Sequence, residues 1–353
     1  IHNRFLKRGP SLVAIGGGTG LSTLLRGIKR YTSNLTAIVT VADDGGSSGR
    51  LRREMGVLPP GDIRNCLVAL ADAEPLMQKL FQYRFGEKDP PGLAGHNFGN
   101  LFIATMTAIT GDFERAVKES SKVLAVRGQV LPSTLQDVTL CAEIEGGEIV
   151  EGESSIPRSG RAIRRVFLTP SDVKPLPEAV RAIKKADAIF LGPGSLFTSV
   201  LPNLLVEGIA LAIKDSPALK VYICNVMTQP GETDGFSASR HVRAILDHVG
   251  QRVMDCILVN TKRPPEELAE RYRQEGAFPV LPDVEEIKAM GLEVFEGDLI
   301  SETEFVRHDP AKLARALMEM LSKLRPGDYG LDGAWSNSFE GETLGKPGIT
   351  RLA

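Results

Sequence analysis

Short apolar runs alternate with helical patterns along most of this chain. Ser11–Ile15 and Leu35–Ala42 are β-rich and apolar, and Leu21–Tyr31 between them sets leucines and Ile28 at helical spacing, which predicts a βαβ unit. Pro59-Pro60-Gly61 then breaks the chain, and Asp62 is placed to cap a helix running to about Ala73. Leu76–Phe85 predicts another helix, Asn97–Ile109 a buried helix with few charges, and Asp112–Val126 an amphipathic one. From Val130 to Thr169 the pattern changes to strand-like alternation at Val138, Leu140, Ala142 and Ile144, with Gly146-Gly147 as a turn. The β/α rhythm then returns. Helices are predicted over Pro177–Lys185, Leu204–Lys214, Ser237–His248, Pro265–Gln274 and Pro310–Lys323, alternating with strands Ala188–Leu191, Lys220–Asn225 and Cys256–Asn260.

This pattern predicts an α/β fold, a Rossmann-like, doubly wound, mostly parallel sheet with a small inserted β-meander at about 130–169. A single domain would span 11–325, after an N-terminal extension (1–10) and before a loosely ordered, Gly-rich polar tail (326–353). Lys and Arg number 42 against 44 Asp and Glu, so a net charge of −2 gives no support for a nucleic-acid partner. The cysteines Cys66, Cys141, Cys224 and Cys256 form no CxxC pair and read as buried thiols in a reducing cytoplasm. No apolar run approaches the ~18 residues of a membrane helix. The chain starts at Ile1, so membrane attachment through an upstream segment stays open.

Doubly wound sheets bind ligands in the crevice beyond the carboxyl ends of their strands. After the first strand comes Gly16-Gly17-Gly18-Thr19-Gly20, a glycine cluster opening a helix, which suits a phosphate held by backbone N–H groups. It is neither a P-loop nor G-x-G-x-x-G, because Leu21 stands where the last glycine belongs. After the second strand, Asp43 and Asp44 precede a loop with Ser47, Ser48 and Arg50, which reads as a second anion cradle. The two acids either coordinate Mg²⁺ or hydrogen-bond a sugar or ribose. Asp62 and Asn65 lie at a helix start, where Asp62 is equally a plain cap. His96, Asn97 and Asn100 lie between glycines as a candidate polar pocket. Gly192, Gly194, Ser195 and Thr198 form another backbone-lined turn, and Asn225, Thr228 and Gln229 follow the next strand. No nucleophilic triad, G-x-S-x-G or HExxH is present, so no catalytic residue is assigned; catalysis, if any, would be phosphoryl- or nucleotidyl-type transfer.

The segments IGGGTG, ADDGGSSGRLR, PPGDIRN, GHNFGNL, LGPGSLFTSVLPNLL and CNVMTQPGETDGFSAS together resemble the bacterial gluconeogenesis factor family, a relative of the 2-phospho-lactate transferases. The likeness covers roughly Ser11 to Leu324. It implies a nucleotide-diphosphate site, with UDP-N-acetylglucosamine or another UDP-sugar as ligand in the gluconeogenesis factor branch. It also implies roles in growth on gluconeogenic carbon, cell shape and cell-wall precursor supply. In the transferase branch a guanosine-diphosphate-linked lactate and Mg²⁺ take those places, and the first acidic loop serves the metal. By the same resemblance, Tyr272 and Arg307 hold the UDP-sugar. Arg240 stands before His241 where the family leads one to expect an acid, and Pro310 replaces a phosphorylatable Thr. The resulting expectation is a cytoplasmic UDP-sugar-binding regulator, a homo-oligomer acting on a partner such as a cell-wall precursor enzyme, with no cofactor required for binding. A Mg²⁺-dependent transferase is the alternative, and an NAD-dependent oxidoreductase the weakest.

Overall fold

The computed structural model describes residues 6–73, 75–301, 305–324 and 350–351, so all of the polar tail but two residues lies outside them. β1 (Leu12–Gly16) and β2 (Leu35–Val39) pair in parallel with Leu12 opposite Leu35, and α1 (Gly18–Ile28) crosses between them. Every residue of both strands is buried. Leu12 and Ala14 enter one apolar core, Val13 and Ile15 the other, as in a strand covered on both faces.

Five helices follow: α2 (Gly46–Met55), α3 (Gly61–Leu70), α4 (Pro75–Gln82), α5 (Phe98–Thr110) and α6 (Phe113–Val123). β3 (Gln129–Pro132) then pairs with β2 as the last strand of the main sheet. The expected meander therefore starts later than Val130, because Val130 and Leu131 fall in opposite cores. The insertion comprises β4 (Thr139–Ile144), β5 (Ile149–Glu151) and β6 (Ile163–Thr169), antiparallel in the order β5-β4-β6. Leu140, Ala142, Ile144, Val166 and Leu168 point into the main core, while Glu143 pairs outside with Arg164 and Arg165.

The second half runs α7 (Pro177–Lys185), β7 (Ala188–Leu191), α8 (Leu201–Leu204), α9 (Ile209–Asp215), β8 (Leu219–Ile223), α10 (Ala238–Val249) and β9 (Cys256–Asn260). It ends with α11 (Glu266–Gln274), α12 (Val284–Ala289), β10 (Glu293–Gly297), α13 (Pro310–Leu324) and β11 (Thr350–Arg351). The main sheet has the order β11-β10-β9-β8-β7-β1-β2-β3, parallel except for β11. Five elements depart from expectation. The helix predicted over Leu204–Lys214 is two, split at Gly208 with φ 90°. α2 occupies what reads as a glycine loop. β10 and α12 escape the pattern because Glu293 and Glu296 bracket only Val294 and Phe295. β11 draws two tail residues into the sheet. Among the described residues no single helix is long and apolar enough to cross a membrane.

β1 and β7 are neighbours, and the chain leaves them in opposite directions, towards β2 and towards β8. The loops after them diverge and leave a crevice at this switch point. Asn203 of α8, fully buried, ties the two loops together: its Nδ2 donates to Gly16 O at 3.0 Å and to Ser199 O at 2.8 Å. Thr40 N–H also bonds Gly16 O (3.1 Å), so removing the amide deletes the two tying bonds without leaving that carbonyl bare, and Asn203→Ala is expected to lose about 1–2 kcal/mol in urea unfolding. A change below about 0.5 kcal/mol would show that the tie contributes little.

Candidate functional site

A cleft of about 550 Å³ lies across the carboxyl ends of β2, β1, β7 and β8 and is closed by Tyr272, Glu275, Val306, Arg307 and His308, within the usual range for small-ligand sites. Its floor is the first glycine loop. Gly17 is extended, Gly18 takes φ 61°, and α1 starts there with no side chain to cap it. Two of these glycines are required by contact. A Cβ on Gly20 would lie 2.6 Å from Pro193 O, and one on Gly17 would lie 2.5 Å from Asp62 Oδ2. The start of α1 therefore packs backbone to backbone against the second glycine loop.

Asp43, Asp62 and Glu153 face this floor. Asp62 is not the expected helix cap: α3 begins at Gly61, and the Asp62 carboxylate instead accepts the Gly18 N–H. Burial, then the neighbouring Asp43 charge, pushes Asp62 up to about 7. Burial also raises Asp43 although Gly45 N–H (2.8 Å) and the Ser48 hydroxyl stabilise its charge. Glu153 comes from the inserted sheet, and burial followed by the charges of Asp43 and Asp62 lifts it to about 8. With Glu153 at about 8 and Asp62 at about 7, this wall repels an anion less near neutral pH than three exposed carboxylates would.

The second loop is less open than its glycines suggest. The π-helical turn Leu196–Val200 puts Ser195, Thr198 and Ser199 on the cleft. Its N-terminal donors are already engaged, however, because the Glu232 carboxylate accepts from the N–H groups of Phe197 and Thr198 and from Thr198 Oγ1 at 3.1 Å. Glu232 is only 7% exposed, its Oε2 has no partner among the described residues, and burial pushes it up to about 7. Asn225 and Gln229 line the cleft but also join the two loops: Gly194 N–H donates to Asn225 Oδ1 (3.3 Å) and Gln229 Nε2 to Ser195 Oγ (2.7 Å). Thr228 exchanges hydrogen bonds with Phe278, its N–H donating to Phe278 O at 2.7 Å.

The far wall holds Tyr272, Glu275, Arg307 and His308. Tyr272 Oη accepts from Val306 N–H at 3.2 Å, so the tyrosine holds the segment that presents Arg307. Arg307 carries the only fixed positive charge among the described residues that line the cleft, and its guanidinium sits over Phe305. Burial drives His308 down to about 4, a bond to the Cys224 backbone acts against the shift, and Nε2 has no partner among the described residues.

Sequence therefore places Gly17, Gly18, Thr19, Gly20, Asp43, Asp62, Gly194, Ser195, Thr198, Asn225, Thr228, Gln229, Tyr272 and Arg307 on one cleft. The remaining candidates stand behind it. Gly16 and Gly192 end β1 and β7. Ser47 and His96 Nδ1 share a hydrogen bond (3.1 Å), Asn97 caps α5 by accepting from Asn100 N–H (3.2 Å), and Ser48 Oγ receives Gly61 N–H (3.1 Å) and Asn100 Nδ2 (3.4 Å). Arg50 donates to Ala94 O (2.8 Å) and Asn65 Oδ1 accepts from Arg64 (2.6 Å). These groups rivet α2, α3 and α5 together. Asp43 and Asp44 open on different cavities, with Asp44 Oδ1 accepting from Ser154 N–H at 2.8 Å. No group of three or more His, Cys, Asp or Glu among the described residues is arranged to hold a metal. Arg240 stacks over Phe236 and stays off the cleft. Sequence reasoning missed Thr40, Glu153, Glu275 and His308; only the Gly152-Glu153-Ser154-Ser155 run carries a loop signal like the others.

The family described as 2-phospho-L-lactate transferase CofD matches residues 12–300. The chain is 55% identical over 310 residues to a gluconeogenesis factor of Halalkalibacterium halodurans, covering 88% of this chain and 96% of that protein. It is 54% identical over 315 residues to the gluconeogenesis factor of Bacillus subtilis, covering 89% and 99%. A crystal structure of a Bacillus halodurans protein of the UPF0052 family superposes with a TM-score of 0.85 at 54% identity, covering 88% of this chain and 99% of that one.

A carboxyl raised by folding keeps its proton where the unfolded chain has lost it, so Glu232 subtracts stability as pH rises from 4.5 through about 7. Glu232→Gln is neutral at every pH and still accepts from Thr198. Its stability relative to the native protein is expected to improve steadily from pH 5 to pH 8 in urea titrations; the buried histidines contribute equally to both and cancel. A difference that does not vary with pH would contradict the raised value.

Proposed function

Because this chain belongs to the 2-phospho-L-lactate transferase CofD family, and within it groups with proteins named gluconeogenesis factor, we propose that it is a regulatory factor that binds a UDP-sugar, UDP-N-acetylglucosamine. Through that ligand it supports growth on gluconeogenic carbon, cell shape and cell-wall precursor supply, as a homo-oligomer acting on a precursor enzyme. Its four free, buried cysteines suit the reducing cytoplasm that this reading takes as its location.

The observation that carries the reading is the length of the cleft. It runs from the loop after β2 to the loop after β8, three inter-strand steps of about 4.8 Å, or roughly 14 Å, with Tyr272, Arg307 and His308 closing the β8 end. A nucleoside alone would fill one end; a nucleotide diphosphate bearing a further group fits the whole. The wall with Asn225, Thr228, Tyr272 and the acceptor nitrogen of His308 suits the nucleoside. The start of α1 and Arg307 suit the diphosphate, through helix-terminal N–H groups and a guanidinium. The protonated acids at the other end suit a neutral polyhydroxyl group.

A Mg²⁺-dependent transferase using a nucleotide diphosphate donor is the second reading, favoured by the name of the matching family. The acidic pair does not fit a shared cation, since Asp44 is engaged with the inserted sheet, so no step is derived through a metal.

Calorimetric titration with UDP-N-acetylglucosamine, GDP and NAD, each with and without Mg²⁺, tests the proposal. Metal-independent micromolar binding of the UDP-sugar is expected, with Arg307→Ala and Tyr272→Ala each weakening it about 10- to 100-fold, the worth of a charge-assisted bond. Preference for GDP with a strict Mg²⁺ requirement would move the protein to the transferase reading.

A further inference from the structure

The inserted sheet stands apart from the frame that builds the rest of the cleft, yet it sends one side chain into it. Glu153 sits in the turn after β5, and that turn is held by backbone at every point. Gly152 N–H donates to Leu140 O of β4 (2.8 Å), and the N–H groups of Ser155 and Ile156 close onto Gly152 O (3.1 and 3.2 Å). Asp44 grips the same turn from the main domain. Its Oδ1 accepts Ser154 N–H, and its Oδ2 lies so near Gly152 that a Cβ there would approach within 2.2 Å. Gly152 also takes φ 98°, so the close approach and the backbone both exclude a side chain. Asp44 is thereby a positioning residue for Glu153, which explains why two adjacent acids in the sequence part company in the structure.

What Glu153 offers a ligand follows from its surroundings. Burial, with the like charges of Asp43, Asp62 and Glu232 added to it, raises its carboxyl to about 8, which keeps it largely protonated at pH 7. Such a group donates one hydrogen bond and accepts others without fixed charge. It enters the cleft beside Asp43 and Asp62, on the side where Asp43 follows β2. A phosphate is better served by the N–H groups and the guanidinium. A hydroxyl or an acetamide, each both donor and acceptor or rich in donors, is the partner this end can satisfy.

Resting on the nucleotide-sugar reading above, we infer that Glu153 is the specificity-determining residue of the cleft, hydrogen-bonding the hydroxyl and amide groups of the ligand's terminal sugar, and that the inserted sheet, clamped by Asp44, is the module that brings it there. The nucleotide end is read by the Rossmann-like frame; the sugar end is read by the insertion.

The test compares UDP-N-acetylglucosamine with UDP by calorimetry on the full chain. Glu153→Ala is expected to weaken the UDP-sugar about tenfold more than UDP, the value of one hydrogen bond to an uncharged partner. Glu153→Gln keeps a donor and an acceptor and should recover most of that discrimination, which also separates recognition from a folding defect. Asp44→Ala should narrow the same ratio, and combining it with Glu153→Ala should narrow it no further, as for two residues acting through one contact. Equal weakening towards both ligands, or no change towards either, overturns this inference while leaving the nucleotide reading intact. A native protein that binds neither compound overturns the nucleotide reading and this inference with it.

Discussion

The architecture depends on one steric constraint, the contact of two turns at the point where the sheet reverses its winding. Gly20 must lack a side chain for α1 to begin against Pro193 and Gly194. That contact brings the ends of β1 and β7 together, and Asn203 then fastens Gly16 to Ser199 across the seam. Backbone packing of this kind has no rotamer freedom to absorb error, so the crevice between the diverging loops is set rather than adjustable. The two helical starts flanking it do not serve the same purpose. The N-terminus of α1 takes no cap from Gly17 and gives one N–H, that of Gly18, to the Asp62 carboxyl, while the turn at Leu196 gives two N–H groups and the Thr198 hydroxyl to Glu232.

That asymmetry explains the placement of charge. Carboxylates are costly to bury, and this cleft gathers Asp43, Asp62 and Glu153 around a site suited to an anion. Protonation eases the conflict: burial raises all three, and neighbouring carboxylates add to it, bringing Asp62 to about 7 and Glu153 to about 8. Arg64, buried behind them and itself pushed down to about 10, contributes positive charge to Asp43 and Asp62 without entering the cleft. Stability and ligand chemistry are thus coupled through protons rather than through surface ion pairs, which are mostly exposed here and individually weak.

Much of the frame is legible in the sequence, because β1, β2, β7, β8 and β9 are apolar runs of strand length separated by helical spacing. Their spatial order is not, since neighbours in a parallel sheet are chosen by crossovers that leave no local trace. The loops were legible for the same reason they form a cleft: glycines and hydroxyls directly after a strand have few other uses. Ser47, His96, Asn97 and Asn100 look identical in sequence to a ligand pocket, yet they bond one another and Ser48, with Asn100 Oδ1 alone of their buried atoms left without a partner among the described residues, because a buried polar group needs a partner whether or not it is a ligand. Glu153 was hidden by distance along the chain. Nothing local in an antiparallel insertion says that one of its turns reaches a site built by a different sheet.

The insertion enters between β3 and α7 and returns to the frame at nearly the place it left, since Leu176 N–H donates to Ser133 O at 2.9 Å. Evolution can therefore exchange the segment between these two residues while the strands that floor the cleft keep their register. A descendant with a different turn at Glu153 would inherit the same cleft floor with new chemistry at one end. Diversification of such a lineage would proceed by swapping a module in the middle of the gene, not by gradual remodelling of the sheet.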